Sequence, residues 1–413
     1  MIEPSSYDEI RRRFRWEDVL KLLDLDPAGG MNLAHELVDR YASSDEIALS
    51  WIGRDGVIER YTFRELSRLS ARFAGVLREL GVSPGDRVAG YLGRVPETFV
   101  TMLGAFKAGA IYVPLFTGFG PEAIDFRVRA SGARVLVAHG EHRGRVPDRL
   151  PARLVTVSRS SDEPLARDDV DFWRAMDRQT EDFEPVRRRR DDAAVLLYTS
   201  GSTGLPKGVK IANNLLVATY PYIRYAVDLR PDDVFWPTGD PGWGYGLVCY
   251  ALALFLGAPA VCFEGAFAPE TALTILEEHE VTALATTPTA LRAIMASGRE
   301  AVGRHRVRLR AINSCGEPLN PEVVHFFRGC WGLTVMDNYG SSEFGLPIGN
   351  GYAIDMPVKP GSMGRPLPGV EMSIVDDEGH ELGPDQIGQI AMRPSAEGYY
   401  SVGYPRVSVG GGW

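Results

Sequence analysis

Between Thr199 and Gly208 the chain places four hydroxyls (Thr199, Ser200, Ser202, Thr203), three glycines (Gly201, Gly204, Gly208) and one lysine, Lys207. Together these groups can hold a polyphosphate. Bare glycine backbone approaches phosphate oxygens closely, hydroxyls donate to them, and an ammonium group cancels their charge. The apolar run 193–198 reads as a buried strand that carries this loop. The order differs from Walker A, where the lysine stands between Gly and Ser or Thr. Here Pro206 precedes Lys207 and Gly208 follows it. Alone, such a stretch also fits a Gly/Ser/Thr-rich surface loop.

Three further segments combine turn residues with reactive or binding groups. One is Asp337-Asn-Tyr-Gly-Ser-Ser-Glu-Phe-Gly345, the second Ile312-Asn-Ser-Cys-Gly-Glu-Pro-Leu-Asn320, and the third Trp236-Pro-Thr-Gly-Asp-Pro-Gly-Trp-Gly-Tyr-Gly246. Taken singly they read as a strand running into a turn with an exposed glutamate, a strand ending in a turn, and a turn with core aromatics.

The elements that must position these segments follow from hydrophobic periodicity. Thr62-Phe-Arg-Glu65 is a capping box, and Leu66, Leu69, Phe73, Val76, Leu77 and Leu80 form the apolar side of a helix that Gly81 ends. A strand at 87–92, a helix at 96–108 and a strand at 110–114 complete a βαβ pattern. The polar stretch 139–190, with one strand at 153–157, reads as a surface connection. Alternation resumes with a helix from about 213, strands at 234–236, 259–263, 283–286 and 310–314, and helices at 247–256 and 269–279. Beyond Glu343, short runs at 370–375 and 388–392 between Pro and Gly suggest antiparallel β structure. The expected fold is α/β: two packed α/β subdomains, 1–190 and 191–345, plus a small antiparallel β-barrel-like subdomain, 346–413.

Composition narrows the function. At 413 residues the chain is longer than one core usually serves, and 45% hydrophobic with 24% charged residues is a soluble globular balance. A net charge of −9 argues against a nucleic-acid partner. The four cysteines show no paired spacing for zinc or disulfides. The longest apolar run, 247–263, is broken by Gly257 and Pro259 and is too short to span a bilayer. No apolar signal core follows Met1, so a cytoplasmic enzyme without a membrane partner is expected.

Taken together, the loop at Lys207 and the segment ending in Glu343 resemble the ATP-binding signature of adenylate-forming enzymes: acyl-CoA synthetases, peptide-synthetase adenylation domains and luciferases. The resemblance covers most of 61–393. It implies that Lys207 and Thr199–Gly204 grip the ATP phosphates, and that Ser342 stands for the usual threonine. It also implies that Glu343 reaches Mg²⁺ and that Asp337, Asn338 and Tyr339 lie at the nucleotide, Tyr339 against adenine. Gly316, Glu317 and Pro318 match a stretch that lines the adenine pocket in acetyl- and medium-chain acyl-CoA synthetases. Trp243, Gly244, Tyr245, Cys315 and Gly340 match the acyl pocket, expected to be dry around Trp243.

The implied reaction is ATP-dependent activation of a small carboxylic acid, with coenzyme A as acceptor. Alternatives are delivery to a carrier protein, an amine or another acceptor, and a non-catalytic nucleotide-binding half. Some residues depart from the pattern. Ile211 and Asn213 occupy positions where relatives often carry histidine. Gly340 replaces the tryptophan of acetyl-specific relatives, so an open floor is expected, partly refilled by Tyr245. The family's ribose-binding aspartate motif and C-terminal catalytic lysine have no counterpart in the 413 residues. A C-terminal domain acting in cis or in trans is therefore an expected partner, and a homodimer is compatible with the sequence.

Overall fold

The structure, a computed structural model, describes residues 5–159, 168–199, 205–393 and 395–403. Ser200, Gly201, Ser202, Thr203 and Gly204 lie outside the described residues. The chain forms an α/β fold with two mixed sheets and a small antiparallel one. Its contacts divide it into two compact units. One comprises 24–213, 237–266 and 401–413 and is called here the loop unit; the other comprises 1–23, 214–236 and 267–400 and is called the Glu343 unit. Both units are interleaved along the chain and do not follow the expected boundaries at 190 and 345.

In the loop unit, neighbouring strands run in the order Lys207–Ala212, Ala193–Thr199, Ile111–Pro114, Arg87–Tyr91, Ala133–His139, Arg153–Val157 and Val170–Asp171. The first pair is antiparallel and the remaining pairs are parallel. Parallel strands need crossovers, and buried helices supply them. Helix Phe63–Glu79 begins with the capping box, both reciprocal bonds being present. It packs on helix Pro96–Lys107, where a Cβ at Gly104 would stand 2.7 Å from the Phe73 ring. Only glycine allows that approach. The same unit pairs Ala260–Phe263 parallel with Ile47–Ile52, and Ile47–Ile52 antiparallel with Ile58–Thr62.

In the Glu343 unit the order is Arg365–Pro366, Gly345–Gly349, Met336–Ser341, Ala311–Cys315, Ala283–Thr286 and Phe235–Pro237. Helices Pro269–Glu278, Pro288–Ala296 and Pro321–Trp331 each begin with proline, whose missing N–H costs nothing in a first turn. Beyond Glu343 the expected β-barrel-like subdomain is, among the described residues, a two-stranded antiparallel sheet of Glu371–Val375 and Gln389–Arg393.

Two departures from the expected elements matter. Strand Lys207–Ala212 precedes the expected helix, which begins at Leu215. The stretch read as surface connection also contains helix Phe172–Asp177, whose Phe172 ring stacks on Phe73 at 5.0 Å. Thr62→Ala should lower stability by about 1 kcal/mol through loss of the cap. Thr62→Ser should restore most of it, read as the midpoint of urea unfolding.

Candidate active site

The hydroxyl-rich loop joins two antiparallel strands. Strand Ala193–Thr199 pairs with Lys207–Ala212 so that Lys207 stands opposite Thr199, Gly208 opposite Tyr198 and Val209 opposite Leu197. Lys207, Val209 and Ile211 share one face of the strand by their spacing of two; Val209 and Ile211 are buried, and Lys207 is exposed at the strand's first residue, where the loop ends. The Thr199 hydroxyl donates to the Lys207 carbonyl at 3.5 Å. Lys207 has no ion pair among the described residues. A cation therefore stands at the mouth of a hydroxyl-rich loop whose ends are pinned by strand pairing. Among the described residues the loop leads into a strand and not a helix, which separates it from a P-loop.

Also in the loop unit, Asp240-Pro-Gly-Trp243 is a β-turn closed by the Trp243 N–H on the Asp240 carbonyl at 2.9 Å. It leads into helix Gly244–Phe255. Trp243 is 60% exposed, with its ring 6.0 Å from that of Phe116. The expected dry enclosure around Trp243 is therefore not formed among the described residues, because the residue caps an exposed helix start. A Cβ at Gly244 would meet the Leu197 side chain at 2.8 Å, which fixes the helix start against the hairpin. Tyr245 is half-buried.

The Glu343 unit brings polar side chains to one level of adjacent parallel strands, at the C-terminal ends of Ala283–Thr286 and Ala311–Cys315. Thr286 is in register with Ser314, and Ser314 with Asp337. Ligands of open α/β sheets bind at such strand ends. Asn313 Nδ2, Ser314 Oγ, Asp337 Oδ1 and Asn338 Oδ1 are buried without hydrogen-bond partners. Such atoms cost free energy unless something fills their valences. Burial pushes the Asp337 carboxyl up to about 6, against backbone N–H bonds from Asn338 and Leu319. Asn313 and Ser314 were not singled out from the sequence, where they read as part of a strand.

Glycine 316 follows at φ +100° with open space where a Cβ would stand, and Gly316, Glu317 and Pro318 are all exposed. The Glu317 side chain is engaged by the Thr289 hydroxyl at 2.8 Å and by Arg292 at 2.7 Å. These bonds hold its carboxyl below the usual range, Thr289 contributing most. Burial pushes the Cys315 thiol up to about 12, so it is a packing group and not a nucleophile at neutral pH.

Tyr339, Gly340, Ser341, Ser342 and Glu343 are half-buried on the strand and turn that follow. The Ser341 hydroxyl accepts the N–H groups of Glu343 and Phe344, both at 3.2 Å, and so sets the turn carrying the carboxylate. Sequence reasoning assigned the functional hydroxyl to Ser342; the structural one is Ser341. One carboxylate beside hydroxyls is a hard donor set that fits Mg²⁺, which takes one or two carboxylates and completes its shell with phosphate and water oxygens.

Gly340 sits at an irregularity of the Met336–Ser341 and Gly345–Gly349 pairing. A Cβ there would stand 2.5 Å from the Gly345 carbonyl oxygen and 2.6 Å from Leu346. Main chain cannot swing aside as a side chain can. Gly340→Ala should therefore destabilise the Glu343 unit, and Gly340→Trp should prevent its normal packing, both read by thermal melting.

The Asp337 carboxyl gives a pH prediction. Folded, it keeps its proton up to about 6, whereas the ordinary value is 3.8. The folded state thus binds more protons between those values, and stability falls as pH rises through that window, by up to about 3 kcal/mol. Denaturation at pH 4 and pH 6.5 should show this slope, and Asp337→Asn should flatten it.

Comparison with known proteins connects these halves. The profile of the AMP-binding enzyme family matches residues 38–400. The acetyl-coenzyme A synthetase of Bacillus subtilis (strain 168) is 36% identical over 398 residues, covering 94% of this chain and 69% of that protein. That of Citrobacter koseri is 35% identical over 383 residues, covering 85% of this chain and 59% of its own length. The chain thus spans about three fifths to two thirds of these relatives. The crystal structure of Brucella canis acyl-CoA synthetase has a TM-score of 0.92 at 38% identity, covering 97% of this chain and 74% of that one. Apo MatB from Rhodopseudomonas palustris has a TM-score of 0.78 at 26% identity, covering 91% and 72%. With the profile running through the hairpin, the Asp240 turn and the Glu343 turn alike, the chain belongs to the AMP-binding enzyme family.

Proposed function

We propose that the chain activates a small carboxylic acid with ATP, as the adenylating part of an acyl-CoA synthetase. The observation that carries this reading is the pairing of Lys207 with Thr199 at the mouth of the hydroxyl-rich loop. It is supported by the acetyl- and acyl-CoA synthetases among the relatives and by an ATP-bound RpMatB-BxBclM chimera among the similar structures, with a TM-score of 0.78 at 26% identity.

The reaction joins two anions. A carboxylate oxygen attacks the α-phosphorus of ATP, a new P–O bond forms, the α–β anhydride breaks, and pyrophosphate leaves. Charge repulsion is the obstacle, so fixed positive charge and orientation are what a protein can supply. Lys207 offers its ammonium group to the phosphates, and its strand pairing fixes where its backbone stands. Thr199 contributes a hydroxyl at the same level. Glu343 is the residue to hold Mg²⁺, which when bound neutralises phosphate charge. The orphan polar atoms of Ser314 and Asp337, which share one face of the sheet, suit a hydrogen-bonding edge of a nucleoside. Thioester formation with coenzyme A is the proposed second step, in which this chain's part is to hold the activated acyl group near Trp243 and Tyr245.

The test is direct binding. Lys207→Ala should weaken ATP affinity by about 1.5–3 kcal/mol, roughly ten- to a hundredfold, the cost of one charge-assisted contact. Glu343→Gln should remove most of the difference between ATP affinities measured with and without Mg²⁺. Calorimetry on the 413-residue chain reads both effects. Acid-dependent pyrophosphate exchange tests the chemistry, and unchanged ATP binding by the Lys207 variant would remove the loop assignment.

A further inference from the structure

Strand Lys207–Ala212 lies at the end of its sheet, with Ala193–Thr199 on its inner side. Its outer side is met by a short piece of chain from far along the sequence, Ser401–Gly403. Ser401 pairs antiparallel with Ile211. The Lys210 N–H donates to the Gly403 carbonyl at 2.8 Å, and the Val402 N–H donates to the Lys210 carbonyl at 2.9 Å. Gly403 makes its bond at φ +88°, a backbone region that favours glycine. The Val402 side chain is 38% exposed, so main chain and not packing makes this tie.

Lys210 and Lys207 stand on one strand. An antiparallel neighbour that meets Ile211 first and Lys210 next runs toward the end of that strand where the hydroxyl-rich loop opens. The chain just before it is held as well. Tyr400, buried and the last residue of the Glu343 unit, packs on Gly345 of the same unit, where a Cβ would stand 2.8 Å from its ring. In that unit the Asn214 amide also donates to the carbonyls of Glu397 and Tyr399, at 2.7 and 3.0 Å. Ser401 follows directly and belongs to the loop unit. A strand paired on one side only opens more readily than one paired on both, because its outer backbone groups are left to solvent.

We propose that Ser401–Gly403 is a positioning strap for the phosphate loop: its pairing with Lys210 and Ile211 holds the strand that carries Lys207, and strap pairing and polyphosphate binding favour one another. This rests on the ATP reading above. A strand fixed before the ligand arrives lowers the ordering cost at binding. Such coupling is reciprocal. A ligand that orders Lys207 must favour the paired strap, and loss of the strap must weaken that ligand. AMP, which lacks the β and γ phosphates, should feel the strap less than ATP does.

Val402→Pro in the 413-residue chain removes the donor to the Lys210 carbonyl, whereas Val402→Ala keeps it. Calorimetry reads ATP and AMP affinity, and hydrogen exchange reads the Lys210 amide. In wild type, ATP should slow exchange at Lys210 more than AMP does. Val402→Pro should speed that exchange and weaken ATP about fivefold, the scale of one net backbone hydrogen bond, with AMP kept within about twofold. Val402→Ala should match wild type. Gly403→Ala, strained at its positive φ, should act in the same direction as Val402→Pro. Unchanged ATP affinity in Val402→Pro overturns the proposal, and so does equal weakening of ATP and AMP, which is the mark of a merely structural contact. If wild type binds no ATP, the ATP reading itself fails, and the proposal with it.

Discussion

The pairing of Thr199 with Lys207 is the constraint on which the chemistry proposed for the loop unit depends. A lysine on a free loop would lose rotamer and backbone entropy on meeting phosphate, at a cost of one to two kcal/mol per ordered residue. Here the backbone cost is met by folding. Val209 and Ile211 are buried on the face that Lys207 shares, and a one-residue slip of register would carry all three to the other side of the sheet. The sheet therefore specifies the lysine's side through its apolar neighbours. Antiparallel pairing also closes both ends of the loop at one rung, Thr199 opposite Lys207.

Much of this was legible in the sequence. The capping box at Thr62, the βαβ run from Arg87 to Pro114 and the strands at Arg153, Ala283 and Ala311 follow from local periodicity and turn residues, and these elements stand where expected within a residue or two. Strand Lys207–Ala212 was missed because Pro206 and Gly208 flank the lysine and drew attention to the loop. The alternation of Val209 and Ile211 with Lys210 was the available signal. The interleaving of the two units was not legible at all, since contacts between distant segments leave no local trace. Strands at Ile47 and Ile58 likewise carry too mixed a pattern to separate from their surroundings.

In the Glu343 unit the informative residues are polar ones that periodicity treats as ordinary strand. Asn313 and Ser314 look unremarkable in sequence, yet parallel register sets Ser314 between Thr286 and Asp337 at one level of the sheet. Burial then leaves several of their atoms without partners. Each orphan donor or acceptor costs about 1–3 kcal/mol unless a ligand or water fills its valence. The raised carboxyl of Asp337 belongs to the same economy: desolvation without a counter-ion favours the protonated form. The motif at Glu343 pointed to this region, but the neighbouring strand that completes it became visible only through register.

Gly340 shows how a residue's absence of side chain can be read in two ways. Beside relatives that carry tryptophan there, glycine suggests room for a larger acid. In this chain the same glycine lies where the strand pairing is irregular and the Gly345 carbonyl oxygen comes within 2.5 Å of where a Cβ would be. The glycine is demanded by main chain before any ligand is considered. Pocket size therefore does not follow from Gly340 alone, because the close Gly345 carbonyl oxygen already accounts for the glycine. A test of acid preference is better aimed at side chains that are present and whose backbone is held, among them Trp243 on its Asp240 turn.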